Sequence, residues 1–147
     1  MRHTEITVKI MKALNQKSTE IFLKLIDLLE KQGEENHIKI DNTNGSFMPL
    51  SFEKLNELVF FKFPAVRYAM AHYFELNGDL VPDPDMTFIY VPGKKQVFAA
   101  SIQNQFYYRE GIYQDDNGVW KYRPIEQADE ANFAMVWLHN IKEQQGI

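Results

Sequence analysis

Between Ala65 and Leu76 the chain alternates without a break: Val66, Tyr68, Met70, His72, Phe74 and Leu76 fall on one side of an extended backbone, Arg67, Ala69, Ala71, Tyr73 and Glu75 on the other. A period of two this long fits a β-strand and not a helix. An Asn-Gly pair follows at 77 and 78, and Met86 to Val91 reads as a further strand. Asn-Gly tolerates the positive φ that tight turns between antiparallel strands demand. After a P-G-K-K turn, Val97 to Tyr108 reads as one long aromatic-rich strand, and a second Asn-Gly pair in G-I-Y-Q-D-D-N-G-V-W-K-Y-R separates two short strands. Upstream, H-I-K-I-D, N-T-N-G-S and F-M-P-L read as strand, turn and strand. Ser51 then resembles the cap of a short helix, S-F-E-K-L-N-E-L-V-F, closed by Pro64.

Both ends are helical by pattern. Ile6, Ile10, Ala13 and Leu14 recur at helical spacing; beyond N-Q-K-S, with Ser18 as N-cap, Ile21, Phe22, Leu25, Leu28 and Leu29 share a face that Gly33 ends. These two runs form one bent helix or two. In the last segment Phe133, Val136, Trp137 and Ile141 make a stripe, acids come early, His139 and Lys142 late, and Gly146 follows. That order suits the helix dipole. The expected architecture is α+β: an antiparallel sheet of about five or six strands, with N-terminal and C-terminal helices packed on one face, in a single domain over 1–147.

The 147 residues carry no cysteine, so disulfides and thiolate zinc sites are excluded. The charged N-terminal dozen does not read as a secretory signal, and the apolar cluster Leu58 to Phe61 is far short of the ~20 residues of a membrane span. The expected location is the cytoplasm, with no membrane partner. A formal charge of −4 offers no global attraction to phosphate, and an aromatic content of 14% favours strands.

Two constellations bear on function. In H-Y-F-E-L-N-G-D-L-V-P-D-P-D-M-T-F, prolines at 82 and 84 make the segment extended and stiff, and Asp83 and Asp85 lie roughly 6 to 7 Å apart along it. With Asp79 they can converge on Mg²⁺ or Ca²⁺, and with His72 they can form an acid–base site. The alternative is a loop from Asn77 to Asp85 whose Asp residues set turns and whose surface contacts a partner. His72 lies on the apolar side of its strand, where a histidine is ordinarily a core residue hydrogen-bonded through one nitrogen. The second constellation interleaves aromatics with Arg109, Lys121 and Arg123 in F-Y-Y-R-E and W-K-Y-R; paired across the Asp115 to Gly118 turn, they would form a ribbon of the kind single-stranded nucleic-acid binders use. By alternation Trp120 and Tyr122 face inward and Lys121 and Arg123 outward. No nucleophile elbow, phosphate loop or H-E-x-x-H occurs.

The run from His72 and Tyr73 through Asn77, Gly78 and Asp79 to Asp83, Pro84, Asp85 and Met86, with Trp137, Asn140, Ile141, Gln145 and Gly146 near the end, resembles the signature of an uncharacterised family of short bacterial domains found on plasmids and conjugative elements. The resemblance spans roughly residues 20 to 147 and departs at Asp85, where glutamate is usual, and at Leu76, where a polar residue is common. It implies an accessory protein of a mobile element and no particular chemistry. The leading expectation is a non-catalytic interaction or regulatory domain with no cofactor, binding another protein through Asn77, Asp79, Asp83 and Asp85 and through the hairpin from Tyr107 to Arg123. A small metal-dependent hydrolase or nuclease using His72, Asp79, Asp83 and Asp85 is the alternative from a different class, and single-stranded nucleic-acid binding through 106–123 is the third.

Gly78→Val is expected to lower the urea midpoint, at a cost on the order of 1 to 3 kcal/mol, because a β-branched side chain resists positive φ. An unchanged midpoint would mean an ordinary backbone at Gly78.

Overall fold

The Asn77-Gly78 turn closes the longest hairpin of the fold. In the computed structural model, which describes residues 7–147, Asn77 and Gly78 have φ of 54° and 85°, and Leu76 pairs directly with Asp79. The chain runs through helix α1 (Gln16–Gln32), strands β1 (His37–Ile40), β2 (Leu50–Phe60), β3 (Phe63–Leu76) and β4 (Asp79–Val91), and a 3-10 turn (Pro92–Lys94). Strands β5 (Gln96–Gln103), β6 (Tyr108–Glu110), β7 (Ile112–Gln114) and β8 (Trp120–Tyr122) and helix α2 (Pro124–Gln145) complete it. Strands β1 to β6 form an antiparallel meander in sequence order, and β7 and β8 pair separately. The α+β expectation holds, with six strands in the main sheet and a helix toward each end.

Both helices cover one face. Phe22, Leu25 and Leu29 of α1 and Ala134, Trp137, Leu138 and Ile141 of α2 share a core with Phe52, Tyr68, Met70, Met86, Phe88, Val97 and Ile102 of the sheet. The opposite face carries a second, smaller cluster at one end, where Phe60, Ala65, Ile89, Phe98 and Ile112 meet Val8 and Met11 and are capped by Trp120 and Tyr122. Trp120 is half-buried: its indole N–H donates to the Val59 carbonyl at 2.8 Å and its ring stands edge-on to Phe60. Lys121 and Arg123 point to solvent, as alternation requires.

Several local expectations are corrected. The segment read as a short helix from Ser51 is strand β2; its register shifts between Lys54 and Asn56, so a bulge at Leu55 breaks the period of two and imitates a helical one. Pro64 does not end an element but pairs with Val59 beside a turn in which Phe61 and Lys62 both take positive φ. The stretch from Asp79 to Asp85 is not a loop: it is the first half of β4, with a cis Asp83–Pro84 peptide. Residues 97–108 are not one strand. The chain reverses at Asn104, whose side chain accepts from the amides of Phe106 and Tyr107, and Tyr108–Glu110 returns along β5. The N-cap of α1 is Asn15, which accepts from the Ser18 amide, and Ser18 itself is buried. Of the F-M-P-L segment only Leu50 is strand. Ile6 lies outside the described residues, residues 7–10 are helical but separate from α1, and Ile10 is exposed. On α2, Phe133 and Val136 are exposed while Trp137 and Ile141 are buried, so the inward stripe runs through Ala131, Ala134 and Leu138 instead.

Two buried glutamines on α2 lock flanking segments. Gln127 bonds the amide and carbonyl of Lys12, and Gln145 bonds the Asn42 amide and the Met48 carbonyl across the long β1–β2 connection. Each replaces backbone pairing that an irregular segment lacks. At Gly111, between β6 and β7, α2 comes so near that a Cβ would lie 2.7 Å from Gln127 Cα and 2.9 Å from its nitrogen. Gly111→Ala should therefore push α2 outward and cost about 1 to 3 kcal/mol. The measurement is the urea midpoint; a value equal to wild type would mean that the helix yields at no cost.

Candidate functional site

His72 is buried, 7% exposed, because β3 turns it toward α2. Its Nδ1 accepts from the Trp137 indole N–H at 3.3 Å, and the rings meet edge to face at 5.3 Å. Indole only donates, so the neutral ring carries its proton on Nε2. Burial holds the His72 pKa below the ordinary histidine value, opposed by the charge of Asp83. It is a core histidine satisfied through one nitrogen by a tryptophan far along the chain.

The carboxylates of the same stretch go elsewhere. Asp79 and Asp83 are exposed, Asp79 at the hairpin tip. Asp85 lies on the face opposite His72, half-buried, and accepts from the Tyr73 hydroxyl at 3.3 Å. Burial raises the Asp85 pKa, the Tyr73 bond opposes that, and Glu53 adds to it. Among the described residues no group of three or more His, Asp and Glu side chains is placed to hold a metal ion.

The three basic residues are likewise dispersed. Arg109 stacks on Tyr107 at 4.3 Å; Arg123 stacks on Tyr113 at 4.1 Å and donates to the Glu110 carbonyl; Lys121 bridges Asp115 at 3.4 Å. The expected pairing of 106–110 with 120–123 does not occur, because β6 adds to β5 while β8 pairs with β7. Arg109 and Arg123 still share a shallow cavity of about 380 Å³ with Tyr108, Glu110 and Glu126.

What reasoning along single strands missed is a surface made by all six. Register places Lys39, Ser51, Ala71, Asp85, Gln103 and Tyr108 in one row across the sheet. The adjacent row is His37, Glu53, Ala69, Thr87, Ser101 and Glu110. Both rows lie on the face away from the helices. The next row, Asn56, Arg67, Ile89 and Phe98, marks where the Trp120 cap begins, with the Arg67 guanidinium over the indole at 5.8 Å. The middle of the open face is small: Ala69, Ala71, and Thr87 bonded to Ser101 at 2.5 Å. His37 bonds Ser51 at 2.7 Å. Glu53, Asp85 and Glu110 give it more carboxylate than cation. Burial, with carboxylates nearby, raises the pKa of both flanking phenols, Tyr73 and Tyr108. The sequence signal was present in the polar phase of each alternating strand, but only register aligns those phases.

His72→Phe should cost about 1 to 3 kcal/mol at neutral pH, because the Trp137 N–H loses its acceptor in the core. Since the folded His72 pKa is lowered, its contribution is complete above the unfolded value of about 6.5 and is lost as pH falls below it. The stability gap between wild type and variant should therefore narrow on acidification. Urea melts across that range test this; a constant gap would mean that folding does not perturb His72.

Residues 20–147 match the family model described as a domain of unknown function, DUF6908, and the chain belongs to that family. No curated protein and no solved structure matches the chain. Among the described residues, no helix is long and apolar enough to cross a membrane.

Proposed function

We propose that this DUF6908 domain is a non-catalytic interaction or regulatory domain that binds another protein in the cytoplasm through the open face of its sheet. The observation that carries the reading is the uncovered area itself. The same face is sealed by an apolar cap at one end, yet its two rows across six strands carry polar side chains on either side of a centre of small residues, of which Ala69 is half-buried and Ala71 and Ser101 are buried as a low floor. Its carboxylate surplus favours a partner with basic residues. The hairpin tip adds exposed Leu76 and Leu80 beside Asp79, and the β5–β6 turn adds exposed Phe106 and Tyr107, which are apolar anchors for the rim of a contact. The His-Tyr, Asn-Gly-Asp and Asp-Pro-Asp-Met signature supports placing the protein among bacterial mobile-element accessory proteins.

The test is affinity capture with wild type and with a Glu53→Lys, Glu110→Lys variant, followed by calorimetry with the purified captured protein. A partner bound by wild type and at least ~10-fold weaker with the variant, whose melting temperature is retained, is the expected result. Equal binding by both would remove the open face from the interaction. Salt-dependent binding of single-stranded oligonucleotides, lost in Lys121→Glu, Arg123→Glu, would select the nucleic-acid reading.

A further inference from the structure

Glu130 of α2 is 3% exposed, and carboxylates are almost never so deeply buried without a partner. Its Oε1 accepts from the Gly111 amide at 3.2 Å, a bond weakened because that N–H also donates to the Ala100 carbonyl at 2.8 Å. No described residue bonds Oε2, which is buried as well. Glu130 lines a cavity of about 180 Å³ between α2 and the β5–β6 edge. Ile102, Tyr107 and Phe133 form its apolar walls, and Glu126, Asp129 and Arg109 complete the lining. We propose that this cavity binds a cation on an aliphatic stem, the guanidinium of an arginine or the ammonium of a lysine supplied by a partner polypeptide.

Size, walls and charge all select that occupant. The cavity is smaller than the 300–1,000 Å³ typical of small-molecule sites and suits one side chain. Methylene groups fit against Ile102, Tyr107 and Phe133. Three carboxyl groups face one guanidinium, and Arg109 is already stacked on Tyr107. An anion would be repelled by the carboxylates, and an apolar group would leave Oε2 unbonded; a cation brings the donor that Oε2 lacks. Burial is the main cause that raises the Glu130 pKa, to about 8; Glu126 adds to it, while the Gly111 amide, Arg109 and Arg123 oppose it. The free site therefore holds a proton at neutral pH, and an entering cation displaces it. Arg109 turns to this side because it pairs opposite Ile102, whereas its neighbours Tyr108 and Glu110 belong to the open face. The site thus opens on the other side of the sheet from the proposed interface, shares with it only Tyr107 at the rim, and does not depend on it.

The experiment uses the full chain labelled with ¹⁵N and follows the Gly111 amide, the one that donates to Glu130. It is titrated to millimolar concentration with a blocked Gly-Arg-Gly tripeptide, its citrulline counterpart and agmatine. Expected are a saturable shift with the arginine peptide, none with citrulline, and at least ~10-fold weaker binding in Glu130→Gln. Calorimetry in two buffers at neutral pH should show close to one proton released, and affinity should rise toward about pH 8 and then level off. Should Glu130→Gln fail to fold, the exposed-site variants Asp129→Asn and Phe133→Ala must each weaken the peptide. No saturable shift with the arginine peptide, binding unchanged in the variants, or equal binding of citrulline would overturn the proposal. Agmatine binding as tightly as the peptide would overturn the polypeptide source.

Discussion

Phe22 of α1 is wholly buried against rings from three successive strands, Phe52 of β2, Tyr68 of β3 and Phe88 of β4, with centroids 5.3, 5.7 and 5.0 Å away. Edge-on and tilted contacts of this kind add about 0.5–1.5 kcal/mol each beyond the area they bury. They seat α1 over the middle of the sheet. Leu25 and Leu29, in the same cluster, then share a core with Ala134, Leu138 and Ile141 of α2. Once α2 lies beside α1, its other positions follow: Trp137 reaches His72, Gln127 reaches Lys12, and Glu130 comes over Gly111.

The two faces of the sheet are consequently unlike chemical environments. On the helical face, polar groups are buried, and each must find a partner at close range. His72, Gln127 and Gln145 do, while Glu130 is met only halfway. On the other face, most polar groups remain near water, where leaving them unpaired costs little, but Ser101 is buried and bonded to Thr87, and the Arg67 Nε, beside the Trp120 ring, is buried with no partner among the described residues. Adjacent residues of one strand, such as His72 and Tyr73, belong to different environments, which is why their pKa values are governed by different neighbours.

The signature residues divide in the same way. Asn77 and Gly78 supply the positive φ of a two-residue turn, Trp137 supplies the donor for His72, and Gln145 holds the β1–β2 connection at Asn42 and Met48. These are structural duties. Asp79, Asp83 and Asp85 are the members left near solvent, and Asp85 alone among them extends into the open face.

The sequence alone determined the elements with an unbroken period and chemically explicit turns. Examples are the β3 alternation up to Ala71, before its register with β4 shifts at His72, the Asn77-Gly78 and Asp115–Gly118 reversals, the helices at each end and the inward histidine. It was silent or misleading where a bulge broke the period at Leu55, where Phe61 and Lys62 made a turn without Asn or Gly, and where Asn104 reversed a run of continuous β-formers. Only the tertiary structure decided that Phe133 and Val136 face outward, because which stripe of a helix is buried depends on its neighbours. Only it joined His72 to Trp137, aligned two polar rows from six strands and left one oxygen of Glu130 unmatched, since register and helix docking bring together residues that no spacing along the chain relates.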